Sequence, residues 1–102
     1  MTRRAKIEAQ LVDSPDDTFL NYAWALLVAG QGETEAAIQR LEWLLTKDES
    51  YVAAWFQLGQ LLAKSDATAR AKEVLTQGIA AARRAGDSHA EGEMRGFLES
   101  LG

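Results

Sequence analysis

The sequence contains no cysteine, one proline and one histidine, His89, among its 102 residues. Without cysteine there is no disulfide framework, no thiolate nucleophile and no cysteine-ligated metal. One histidine excludes a multi-histidine metal centre. Basic side chains are also in deficit, 11 against 15 acidic ones for a net charge of −4. That balance is wrong for a nucleic-acid binder, which must neutralise phosphates with clustered Lys and Arg. Long apolar runs are missing too: the longest, Tyr22 to Ala29, is far short of the roughly 20 residues of a membrane span. The basic start (Arg3, Arg4, Lys6) is followed by Glu8, Gln10 and Asp13, so no secretory apolar region follows it. These absences lead us to expect a cytoplasmic protein without metal, cofactor, membrane or nucleic-acid partner. The scarcity of proline, with eight glycines in a Leu- and Ala-rich chain, points to helix almost throughout. The length suits one domain spanning residues 1–102.

The chain repeats itself. Shifting residues 18–51 by 34 onto residues 52–85 aligns Leu27 with Leu61, Ala29 with Ala63, Thr34 with Thr68, Ala37 with Ala71 and Leu41 with Leu75. Conservative pairs join them: Tyr22/Phe56, Trp24/Leu58, Ala25/Gly59, Val28/Leu62 and Leu45/Ile79. Each unit reads as two antiparallel helices. Asn21, Trp24, Ala25 and Val28 share one face at helical spacing, Gly30-Gln31-Gly32 breaks the helix, and Ala37, Ile38, Leu41, Leu44 and Leu45 form the next stripe. The second unit repeats the scheme with Trp55, Leu58, Gly59 and Leu62, a break at Lys64-Ser65-Asp66, then Ala71, Leu75 and Ile79. Ala25, Gly59, Ala37 and Ala71 are small where helix backbones must approach closely.

Trp55-x2-Leu58-Gly59-x2-Leu62 followed by Ala71-x3-Leu75 resembles the tetratricopeptide repeat, and the shift that aligns the two units equals that family's period. The first unit is more divergent, with Asn21 where the family has Trp. The proline favoured at a unit's end is replaced by Glu49 and Arg83, although Pro15 stands one period before residue 49. The same shift puts Ile7 under Leu41 and Leu11 under Leu45, so residues 3–17 read as the second helix of a partial preceding unit. The resemblance implies an all-α, right-handed superhelical stack of antiparallel helix pairs. Its parts are a partial repeat (3–17), repeat 1 (18–51), repeat 2 (52–85) and a capping segment (86–102). In the last, Ser88 and Glu91 form a capping box, and Ala90, Met94, Phe97, Leu98 and Leu101 share one apolar face. Gly86 suits a left-handed helix end. Helices are expected at about 3–12, 15–30, 33–47, 51–64, 67–85 and 88–101.

Catalytic chemistry finds no support. Ser88, His89 and Glu91 lie on one helical turn and do not face each other as a triad would. Asp13, Asp16 and Asp17 read as helix-start acids, with Ser14 capping and Pro15 at the first helical position, rather than as a cation site. Arg83 and Arg84 complement the end of a long helix. The anomaly is the helix at 15–30, which is apolar nearly all round and so asks for burial on nearly all sides. The resemblance places first helices on a concave surface. There Phe19, Tyr22 and Leu26, with Ala53, Phe56, Gln60 and Lys64 of the next unit, would form an aromatic-lined groove for a partner segment. The other reading has the stripe filled internally by the N-terminal segment, or buried in a homodimer. Trp43 stands where the family has a polar residue; it covers a seam between helices or marks a self-association patch. The family's groove for acidic chaperone tails uses Lys, Asn and Arg on the first helices; this sequence places Tyr22, Leu26, Phe56 and Gln60 on that surface instead, so an apolar or amphipathic protein segment is the expected ligand. The function implied is non-enzymatic protein–protein interaction; the alternative is a self-associating scaffold using the groove or Trp43.

Overall fold

The computed structural model describes residues 1–102. It contains six α-helices: α1 (Arg3–Asp13), α2 (Thr18–Gly30), α3 (Thr34–Lys47), α4 (Val52–Lys64), α5 (Thr68–Ala85) and α6 (Ser88–Ser100). They form two compact units, residues 1–48 with α1 to α3 and residues 49–102 with α4 to α6.

In the first unit, α2 and α3 make a hairpin whose seam is set by small residues. Ala25 and Ala37 are both 0% exposed, and beside them Val28, Ile38, Leu41, Leu44 and Leu45 fill the space, with Ile7 of α1 added from the side. The hairpin turns through Gly32 at φ +89°, a left-handed conformation open to glycine at little cost. The Glu33 N–H then donates to the Val28 carbonyl at 2.9 Å. The second unit repeats that turn one period later. Asp66 takes the left-handed position at φ +63°, and the Ala67 N–H donates to Leu62 O at 2.9 Å. Acidic and amide side chains tolerate this region better than most. The repeat is therefore written into backbone hydrogen bonds as well as side-chain volumes.

The second unit packs α4, α5 and α6 around Leu58, Leu62, Ala71, Leu75, Ile79, Ala82 and Met94. Gly59 lies so close to α5 that a Cβ there would meet Leu75 Cδ2 at 2.6 Å. Gly78 is just as tight, with Trp55 Cβ at 2.7 Å and Met94 Sδ at 2.6 Å from such a Cβ. It is a second small-residue contact with no counterpart among the sequence expectations. Met94, fully buried, plugs α6 onto Leu75, Ile79 and Ala82, with Phe97, Leu98 and Leu101 packed around it. Gly86 ends α5 at φ +71°, as expected of that glycine.

Four local expectations are corrected. The helix expected from residue 15 begins at Thr18, because Ser14 closes α1 with its N–H on Gln10 O. Asp17, not Ser14, caps α2 by accepting from the Leu20 N–H at 2.9 Å. At α6 the capping residue is Asp87, which accepts from Ala90 N–H at 3.0 Å, so Ser88 is the first helical residue and no Ser88–Glu91 box forms. Glu91 instead binds Arg95 at 2.7 Å and Arg83 at 2.8 Å. Trp24, expected in the core stripe, is only half-buried. Its indole N–H donates to Glu8 Oε2 at 2.9 Å and its ring lies under the Arg40 guanidinium. A packed indole needs a partner for its N–H, and Glu8 supplies it.

Candidate functional site

On α2 only Asn21, Ala25 and Val28 are buried. Most of the remaining residues of this apolar helix, Tyr22, Trp24 and Leu26 among them, are only half-buried within the unit. Phe19 is 66% exposed, an unusual state for a large aromatic ring on a helix. Phe19, Tyr22 and Leu26 line one depression of about 530 Å³, with Ala23, Leu27 and Arg3 of α1 at its edges. Periodicity anticipated that these three residues share a face, and the structure brings them together. One period after Phe19, Tyr22, Leu26 and Gly30 come Ala53, Phe56, Gln60 and Lys64 on α4. Ala53 and Lys64 are exposed; Phe56 and Gln60 are half-buried. Phe56 packs against the Leu75–Met94 cluster and meets Phe97 edge-on, with ring centroids 6.1 Å apart at 68°. It therefore supports its own unit's core.

The opposite face of α2 carries a polar network that sequence reasoning did not find. Asn21, at 2% exposure, donates through Nδ2 to Pro15 O at 3.0 Å and Asp17 O at 2.8 Å. Its Oδ1 accepts from Arg40 Nη1 at 2.8 Å. The Arg40 guanidinium sits 4.1 Å from the Trp24 ring centroid, a cation–π stack. Arg4 lies 5.8 Å from the same ring and binds Glu8 at 2.9 Å, Gln31 at 2.9 Å and Glu33. Burial pushes the Arg40 pKa down. The Glu8 carboxyl is held below its ordinary range, first by the Trp24 N–H and then by Arg4. Asn21 in place of the family's Trp was the available signal: a polar residue on a core stripe needs partners. Between α1 and α3 this network floors a cleft of about 560 Å³, edged by Leu11, Val12 and Trp43. Trp43, singled out from the sequence as a seam cover or association patch, is half-buried here, with Lys47 Nζ 5.6 Å from its ring.

His89 is exposed, with Nε2 3.2 Å from Glu93 Oε1, and no three His, Asp or Glu residues cluster as a metal site would require. No helix is long and apolar enough to cross a membrane.

Two helix hairpins offset by one repeat period, each closed by the same left-handed turn, define a helical-hairpin repeat protein. Comparison with known proteins agrees. The tetratricopeptide repeat family profile matches residues 28–90. A TPR repeat-containing protein of Pseudomonas aeruginosa is 30% identical over 95 residues, covering 93% of this chain and 90% of the relative. The solution structure of a Bordetella parapertussis protein superposes with a TM-score of 0.87 at 29% identity, over 99% of this chain and 88% of that one. A tetratricopeptide repeat domain protein from Salinibacter ruber gives 0.82 at 29% identity, over 85% and 88%. The chain belongs to the tetratricopeptide repeat family, whose members are in general modules for protein–protein interaction rather than enzymes.

Proposed function

We propose that this chain is a non-enzymatic interaction module that holds an apolar or amphipathic segment of a partner protein along the Phe19–Tyr22–Leu26 face of α2. The observation that carries this reading is the exposed Phe19 ring beside the Tyr22–Leu26 depression, opposite a stripe that already supplies the helix's contacts with its own unit. Rigid aromatic side chains lose little conformational freedom on binding and supply large contact area, which makes them common anchors. Ala53, Phe56, Gln60 and Lys64 are the corresponding positions one period later on α4. The surface is largely uncharged, so binding should depend little on salt.

The test is capture of a partner on the immobilised full chain, followed by affinity measurement with the purified partner. Phe19→Ala and Tyr22→Ala should each weaken binding by about 1–2 kcal/mol or more, as truncation of aromatic anchors commonly does. Unchanged affinity in both variants would defeat the proposal. Light scattering tests the alternative: a stable homodimer disrupted by Tyr22→Ala or Trp43→Ala would make the chain a self-associating scaffold instead.

A further inference from the structure

The cleft between α1 and α3 lies apart from the Phe19 face and uses none of its residues. Its central feature is Arg40. The guanidinium is fixed from two sides, over the Trp24 ring with its Cζ 4.1 Å from the centroid and tied through Nη1 to Asn21 Oδ1 at 2.8 Å. Asn21 cannot swing away, since both Pro15 O and Asp17 O hold its amide. A guanidinium carries five N–H groups, and Asn21 takes one of them. That partner is a neutral amide, so the contact orders the cation without cancelling its charge. The nearby Glu8 carboxylate hydrogen-bonds to the Trp24 N–H and to Arg4 rather than to Arg40, although its charge still acts on the guanidinium. An ordered, partly desolvated guanidinium with spare donors matches the planar fork of a carboxylate. The apolar lining is Leu11, Val12, Pro15, Trp24 and Trp43, which match an apolar group; the charged lining is Arg40 together with the Glu8 and Asp16 carboxylates. The volume, about 560 Å³, is in the range of small-molecule sites.

We propose that this cleft binds a small apolar carboxylate, an acid whose carboxylate lies a few bonds from an aryl or branched alkyl group. Arg40 holds the carboxylate, while Trp43, Leu11 and Val12 receive the apolar group. The desolvation that depresses the Arg40 pKa favours this, because an anion at the guanidinium offsets the cost of burying its charge.

The experiment titrates the ¹⁵N-labelled full chain with 3-phenylpropionate and follows the indole N–H resonances of its three tryptophans. Trp24 and Trp43 should shift with half-saturation below about 10 mM, within reach of a ligand of about a dozen non-hydrogen atoms. Trp55, in the other unit, should stay still. 3-Phenylpropionamide, which removes only the charge, and acetate, which removes only the ring, should each bind at least about tenfold more weakly. Arg40→Gln should lose binding to the same degree, and Arg40→Lys should retain part of it. Because the acid and amide are compared on the unaltered chain, a folding defect in either variant leaves the test intact. Equal binding of acid and amide overturns the proposal, as do shifts confined to Trp55 or to the Phe19–Tyr22–Leu26 face. A hexapeptide ending in phenylalanine that binds more than about tenfold tighter than the free acid would overturn it too, by making the cleft a site for chain ends.

Discussion

Gly78 and Gly92 are both helical glycines, yet alanine at each should move stability in opposite directions. In an unobstructed helix, glycine to alanine stabilises by about 0.5–1 kcal/mol, because alanine loses less backbone entropy. Gly92 on α6 has open space around its missing Cβ, so Gly92→Ala should show that gain. At Gly78 the new methyl would meet Trp55 Cβ at 2.7 Å, about 0.7 Å inside ordinary van der Waals contact. A Cβ is fixed to its backbone, so relief requires α4 and α5 to separate; Met94 Sδ, at 2.6 Å, can yield more easily. Overpacking of this kind typically costs about 1–3 kcal/mol. Set against the propensity gain, Gly78→Ala should lose about 1–2 kcal/mol net. For a chain of this size that is a fall of about 4–15 °C in melting temperature, against a rise of a few degrees for Gly92→Ala. Thermal unfolding followed by circular dichroism reads both. If Gly78→Ala melts at or above the wild-type temperature, the close α4–α5 packing described for the second unit is wrong.

Other expectations concern each unit separately. Asn21→Ala leaves the Pro15 carbonyl and Arg40 without their partner and should cost about 1–3 kcal/mol in denaturant unfolding; Asn21→Leu should not restore it. Met94→Ala removes the plug of α6 from a fully buried site and should cost about 2–5 kcal/mol, and deletion of residues 88–102 should leave an aggregating chain. The Glu91 carboxyl is held low by Arg95 and then Arg83. A folded pKa below the unfolded value of 4.5 stabilises above that pH, and the contribution is lost as pH falls through the lowered folded pKa. The stability gap between wild type and Glu91→Gln should therefore be full at neutral pH and close only in acid below about pH 4.5.

Volume patterns carry from one repeat to the next because a seam between helices demands small residues at fixed places. Ala25, Gly59, Ala37 and Ala71 therefore exposed the hairpins before any coordinates did. What the pattern could not resolve was competition among neighbours of equal chemistry. Ser14, Asp16 and Asp17 can all cap a helix, and so can Asp87 and Ser88; the outcome depends on how the preceding turn delivers the backbone. Trp24 was misread for a related reason. Its helical phase points toward the hairpin, but its N–H and the reach of Glu8 and Arg40 draw the ring into a polar network that no single stripe reveals. The Phe19–Tyr22–Leu26 face was legible because a helix apolar on all sides has one stripe too many. Gly78 escaped notice because a glycine late in a long helix resembles a simple weakness until Trp55 is seen against it.

Contact between a partner chain and the exposed face of α2 can be read directly. A photo-crosslinking amino acid placed at Phe19, and separately at Gln39 on the exposed face of α3, tests it in the presence of the captured partner. A covalent adduct with the partner is expected from position 19 and none from position 39. Adducts from position 39 with none from position 19 would contradict it.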